Sequence, residues 1–181
     1  MQKTDKEILN LFQEIEKQNI AFSFLVKKYQ ERIYWHIRKM VLNHEDANDI
    51  TQNTFIKIWK GLPKFRADSN LFTWIYRIAT NETITFINKN KKRIAISLEE
   101  LTIGLENNKD DSFFTGDEIE IKLHKAVNTL PEKQKLVFTM KYFQELKYTE
   151  LVEILGGTIG SLKASYFQAK TKIEKHLLTE D

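Results

Sequence analysis

The sequence predicts an all-α protein: two small helical domains joined by a flexible acidic linker, the second domain ending in a helix-turn-helix. Three observations carry this expectation. Apolar residues recur at intervals of three and four along most of the chain, and no stretch sustains the alternation of a strand. Only six glycines and two prolines occur in 181 residues, too few for the many tight turns of a sandwich or barrel. The periodicity also lapses over 95–117, where Gly104, Asn107, Asn108, Asp110, Asp111 and Gly116 gather. Such a stretch reads as linker, with at most a short turn at Leu98–Leu101. The expected divisions are 1–94, 95–117 and 118–181.

Each helix has a local reason. Thr4-Asp5-Lys6-Glu7 is a capping-box pattern ahead of Ile8, Leu11, Phe12 and Ile15. From Ala21 to Met40, the residues Phe22, Leu25, Val26, Tyr29, Ile33, Ile37 and Met40 form one apolar stripe. A third helix follows Asn43-His44-Glu45-Asp46, carries Ile50, Phe55, Ile58 and Trp59, and stops near Gly61-Leu62-Pro63 because proline disfavours helix at the residue before it. Asp68-Ser69-Asn70 offers caps for a fourth helix bearing Leu71, Ile75, Ile78 and Ala79 towards Phe86. Beyond the linker, Ile119, Leu123, Ala126, Val127 and Leu130 resume the period, and Pro131 suits the first turn of a helix over Glu132–Lys141. Two last helices, Thr149–Leu155 and Ile159–Leu177, flank Gly156-Gly157.

Composition narrows the function. A hydrophobic fraction of 41% with 29% charged residues is that of a folded globular chain. No apolar run exceeds three residues, so neither a spanning helix nor a signal-peptide core is expected. The absence of cysteine excludes disulfides, thiolate nucleophiles and zinc ribbons, and points to a reducing cytoplasm. The net charge of +3 is unevenly spread: +7 over residues 1–94, which hold all five arginines, −7 over 95–120, and +3 over 121–181. Basic blocks suit a polyanion partner, and the acidic stretch could mimic or avoid one, although surplus lysine on a solvated face would give the same balance.

Catalytic groups do not converge. His36, His44, His124 and His176 are scattered without metal-ligand spacing and are expected at the surface or half-buried. Glu99-Glu100 and Asp110-Asp111 are adjacent acids in polar sequence rather than a catalytic pair. Gly157-Thr158-Ile159-Gly160 matches the glycine loop of KH domains, whose strands the sequence lacks. No cofactor and no metal are expected.

Binding is better supported. In the final helix, Ile159, Leu162, Tyr166, Ala169, Ile173 and Leu177 fall on one side. The other side shows Gly160, Ala164, Phe167, Gln168 and Thr171, with Ser161, Lys163 and Lys172 at its margins. In a helix-turn-helix this second helix enters the major groove, where Gln168 can bond adenine and Phe167 can meet a thymine methyl. An ordinary helical hairpin would share the spacing. Between Lys64 and Arg93, Phe72, Trp74, Tyr76 and Phe86 are interleaved with Arg66, Arg77, Lys89, Lys91, Lys92 and Arg93. This mixture offers stacking faces and charge to a single strand, though most such rings belong to a core. Asn70, Thr73, Arg77, Thr80 and Asn81 lie off the apolar stripe and are candidates for base-edge contact.

DANDITQNTFIKIWKGLPKF (Asp46–Phe65), with the segment through Arg93, resembles the core-binding and promoter-melting domain of bacterial sigma-70 family sigma factors. LPEKQKLVFTMKYFQELKYTELVEIL (Leu130–Leu155), with the helix from Ile159, resembles their promoter-reading domain. Two domains and a short linker are the layout of the extracytoplasmic-function group, and the likeness covers roughly 5–93 and 118–178. The resemblance implies that Asp49, Gln52, Asn53 and Ile56 grip the clamp coiled coil of core RNA polymerase. It implies that Lys64, Phe65, Arg66 and Asn70 capture a flipped base of the minus-ten element, with Trp74, Arg77 and Asn81 on the adjoining melting helix. Glu132 to Phe143 would meet the polymerase flap, and Ser161, Lys163, Phe167 and Gln168 would read the minus-thirty-five element. Promoter DNA, duplex and single-stranded, and a membrane-linked anti-sigma factor are the other implied partners; no small-molecule substrate is. Two departures stand out: Ser165 and Gln168 where many members have arginine, and the pair Gly156-Gly157 where a single glycine is usual. A plain helix-turn-helix regulator with an N-terminal oligomerisation lobe is the first rival reading. A nucleic-acid enzyme, which lacks its nucleophile and metal ligands here, is the second.

Overall fold

The computed structural model describes residues 3–41, 43–90 and 118–179. The expected linker, its turn at Leu98–Leu101 and its charge therefore lie outside the described residues. The chain divides into two compact units, residues 1–89 and 90–181, and all regular structure among the described residues is helical.

The first unit contains α1 (Asp5–Gln13), α2 (Gln18–Arg38), α3 (His44–Gly61) and α4 (Leu71–Lys89), with 3-10 turns at Ile15–Lys17 and Leu62–Lys64. The capping box forms as expected. Thr4 Oγ1 accepts from the Glu7 amide at 3.3 Å, and the Glu7 carboxylate accepts from the Thr4 amide at 2.7 Å. The Thr4 amide and hydroxyl lower the Glu7 pKa. Asp5 ties α1 to α2: the Tyr29 hydroxyl donates to both its oxygens at 2.9 and 2.8 Å, and Lys28 Nζ donates at 2.7 Å. Burial, with Asp5 beside it, pushes the Tyr29 phenol far above its ordinary range. Ile8, Leu25, Ile33, Ile37, Ile50, Ile58, Ile75 and Ala79 are buried between the four helices. Trp59 packs edge-on against Phe12 at 5.7 Å and Phe22 at 5.0 Å. Asn43 Oδ1 accepts from the Asp46 amide at 2.7 Å and so caps α3.

His36 departs from expectation. It is 1% exposed, and Nε2 lies 2.9 Å from Thr80 Oγ1 on α4. The Thr80 hydroxyl gives its hydrogen to the Tyr76 carbonyl at 2.7 Å, so it must accept from His36, which fixes the Nε2–H tautomer. His36 stands three residues after Ile33 on the buried side of α2, a position that a count of apolar letters passes over.

The second unit holds α5 (Glu118–Asn128), α6 (Glu132–Phe138), α7 (Tyr148–Leu155) and α8 (Ile159–Thr179). Ala126, Val127, Leu130, Phe138, Ala169 and Ile173 form its core, with Leu123, Phe143, Tyr166 and Leu177 packed against it. The helix expected over Glu132–Lys141 is α-helical only to Phe138 and widens into a π turn over Thr139–Phe143. Three rings meet there. Phe138 and Tyr142 stack at 5.0 Å, and Phe143 lies edge-on to both at 6.0 and 5.0 Å. The wider turn holds this cluster, and among the described residues the buried Thr139 hydroxyl within it has no hydrogen-bond partner. Gly156 and Gly157 take φ of +75° and +84°, a region that side chains disfavour. Both are therefore required by the turn between α7 and α8. Ile159, expected inward, is the first residue of α8 and is 42% exposed.

Candidate functional site

Three surfaces collect the candidate residues. The first is a ridge on α3. Ala47, Ile50, Thr54, Phe55 and Ile58 face the core, which turns Asp49, Gln52, Asn53 and Ile56 outward as one exposed row. Ile56 is 50% exposed, an apolar contact among a carboxylate and two amides. Such a row can engage a protein reversibly, because its polar groups remain hydrated when it is free.

The second surface runs from the 3-10 turn at Leu62–Lys64 into α4. Lys64, Arg66 and Asn70 are exposed, and Ala67 adopts φ +58° as the loop reverses. The Asn70 carbonyl accepts from the Trp74 amide at 3.0 Å and from the Thr73 hydroxyl at 2.9 Å, so it begins α4. The Trp74 ring lies 5.0 Å from the Phe65 ring and directly over Gly61, where a Cβ would sit only 3.0 Å from Cζ2. Arg77 and Asn81 continue the exposed face one and two turns further on. Thr73 and Thr80, expected on this face, are instead fully buried. The Thr73 hydroxyl donates to the Asn70 carbonyl just ahead of α4, and the Thr80 hydroxyl donates to the Tyr76 carbonyl and meets His36. Sequence reading also missed Arg32 on α2, whose guanidinium sits 5.1 Å above the Phe72 ring and brings α2 charge beside α4.

The third surface is α8. Phe167 is 70% exposed, with Lys163 and Gln168 also outward. The Lys163 ammonium lies 5.7 Å from the Tyr148 ring centroid. Ser161 is committed to the helix start: its amide donates to Thr158 Oγ1 at 3.1 Å, and its hydroxyl donates to the Thr158 carbonyl at 2.9 Å. On α6, burial lowers the Lys135 ammonium pKa to about 8, and Nζ donates to Asn128 Oδ1 at 2.7 Å. Among the described residues, no three His, Cys, Asp or Glu side chains gather as a metal site would need.

The surfaces fall on known segments. The Sigma-70 region 2 family matches residues 25–93, and the Sigma-70, region 4 family matches 120–173. The RNA polymerase sigma-H factor of Pseudomonas aeruginosa is 30% identical over 192 residues, covering 97% of this chain and 95% of that protein. The chain belongs to the sigma-70 family. Within it, the ECF RNA polymerase sigma-E factor of Escherichia coli K12 is 26% identical over 182 residues, covering 96% of this chain and 94% of that one, and the sigma factor described here is of this ECF kind. The fold is also that of CnrH in complex with the cytosolic domain of CnrY, at TM-score 0.70, 17% identity, and 98% and 99% coverage of the two chains. RpoE of Bartonella quintana, in complex with the anti-sigma factor NepR, matches at TM-score 0.65, 20% identity, and 88% and 98% coverage. As a sigma factor, the protein directs promoter-specific transcription initiation.

Proposed function

We propose that the sigma factor divides its work among the three surfaces. Asp49, Gln52, Asn53 and Ile56 hold the clamp coiled coil of core polymerase. Lys64, Phe65, Arg66 and Asn70 receive a base flipped from the minus-ten element, and Trp74, Arg77 and Asn81 hold the strand beside it. Lys163, Phe167 and Gln168, on a helix whose first turn is tied by Thr158 and Ser161, read the minus-thirty-five element, while Glu132 to Phe143 meets the flap. The domains carrying these roles are 1–94 and 118–181, with 95–117 between them. No covalent step is involved: binding unstacked bases draws the duplex towards its open form, and polymerase contacts offset the unpairing cost.

One observation carries the assignment. Two helices of the first unit turn side chains outward that the core does not use: α3 a polar row with the apolar Ile56, and α4 Arg77 and Asn81 beside the half-buried Trp74. A cytoplasmic site of action and an anti-sigma partner linked to the membrane belong to the same reading; the NepR complex of the Bartonella RpoE supports the partner class. Run-off transcription with purified core polymerase tests the whole. Transcripts should require this chain and a matched promoter. A chain that instead binds duplex DNA alone as a dimer, and supports no run-off, would be a helix-turn-helix regulator.

A further inference from the structure

The amides on the outer face of α8 are not independent of α6. Gln134 Nε2 donates to Gln168 Oε1 at 2.9 Å, and Gln134 Oε1 accepts from Lys172 Nζ at 3.0 Å. An ammonium has donors and no acceptor. Lys172 therefore decides which end of the Gln134 amide faces it. The NH2 of Gln134 is then turned to Gln168, and Gln168 must turn its oxygen inward to receive it. Donation runs one way along the three side chains, and the free end of the relay is the NH2 of Gln168.

A glutamine reads adenine by presenting its oxygen and its NH2 together to N6 and N7. With its oxygen held sideways by Gln134, Gln168 is left to present donors. The base edge that offers two neighbouring acceptors in the major groove is guanine, through N7 and O6. We propose that Lys172 and Gln134 are positioning residues that orient the Gln168 amide as a donor, so that the sigma factor favours guanine at one upstream promoter position, in place of the adenine expected from the sequence. The inference rests on α8 being the promoter-reading helix.

The relay can be reversed with one atom. Gln134→Glu places an acceptor-only carboxylate between Lys172 and Gln168, so Gln168 should turn its NH2 inward and its oxygen outward. Holoenzyme reconstituted from core polymerase and the full chain would transcribe a promoter library randomised upstream, and the transcripts would be sequenced. Each base profile is normalised within its variant, so that the added negative charge, which weakens DNA binding at every position, cancels. The expected result for Gln134→Glu is a shift at one position from guanine to a base with an exocyclic amine, cytosine or adenine, by about three- to ten-fold, the range of one net hydrogen bond. Lys172→Met should broaden the profile at that position, because the relay loses its fixed end. Gln168→Ala separates the two levels of the argument. If it flattens the profile while Gln134→Glu and Lys172→Met leave it unchanged, Gln168 reads DNA but the relay does not orient it, and the proposal is overturned. If Gln168→Ala changes nothing, the reading of this face falls, and the proposal with it.

Discussion

Gly61 ends α3 in ordinary helical geometry, so its lack of a side chain serves Trp74 rather than the backbone. An added Cβ would meet the indole at 3.0 and 3.3 Å, so the ring would have to give by a few tenths of an ångström beside Phe65. Alanine is also a better helix former than glycine by ~1 kcal/mol. Gly61→Ala should therefore hold or raise the melting temperature while lowering open-complex formation, measured by permanganate reactivity of the minus-ten thymines. Unchanged reactivity would mean that the position of Trp74 is immaterial. Lys135 gives a pH prediction. Its folded pKa of about 8 lies below the ordinary 10.5, so between these values the unfolded chain binds more protons, and stability from this group rises with pH. Below pH 8 the burial cost is borne in full. Lys135→Met should be more stable than wild type at pH 7, and the gap should shrink by pH 10; parallel denaturant titrations at the two pH values measure it, and a constant gap would contradict the assignment.

Along α3, one row packs and the opposite row is free to bind. Asp49→Ala combined with Gln52→Ala should weaken capture of core polymerase by ~2 kcal/mol or more, as interface hot spots do, with an unchanged thermal melt; pull-down equal to wild type would remove the ridge from the interface. This two-sidedness was legible in the letters, because Ile50, Phe55 and Ile58 set the phase of the helix and everything opposite follows. α4 was harder to read. Thr73, Thr80 and Thr83 are polar letters on its buried side, possible because a threonine hydroxyl can bond a carbonyl three or four residues back and bury its methyl. Polarity by residue type therefore put Thr73 and Thr80 on the wrong face, while Asn70, Arg77 and Asn81 are exposed. The π turn after Phe138 left no periodic signal, since it depends on how three rings meet in space. The Lys172–Gln134–Gln168 relay is equally silent in sequence, its members being drawn from helices far apart in the chain.

Two cores stabilise the molecule, one built on α1 to α4 and one on α5 to α8. The sequence announced both through the lapse in period and the change of charge between them. Because the proposed minus-ten and minus-thirty-five contacts rest on different cores, their losses should add. Arg77→Ala and Gln168→Ala, combined, should reduce run-off by the product of the single effects, within the ~0.3–0.5 kcal/mol usual for independent sites. A departure well beyond that would mean the two surfaces act as one. The place of Trp74 has an optical consequence as well. The chain holds three tryptophans; Trp59 is enclosed by Phe12 and Phe22, and Trp35 packs against Tyr34 at 5.2 Å. Replacing those two with phenylalanine would leave a single emitter at the proposed strand-separation face, and a nucleobase stacked on an indole quenches its fluorescence. The protein thus carries its own reporter, through which strand opening could be followed in real time without a dye on either the DNA or the polymerase.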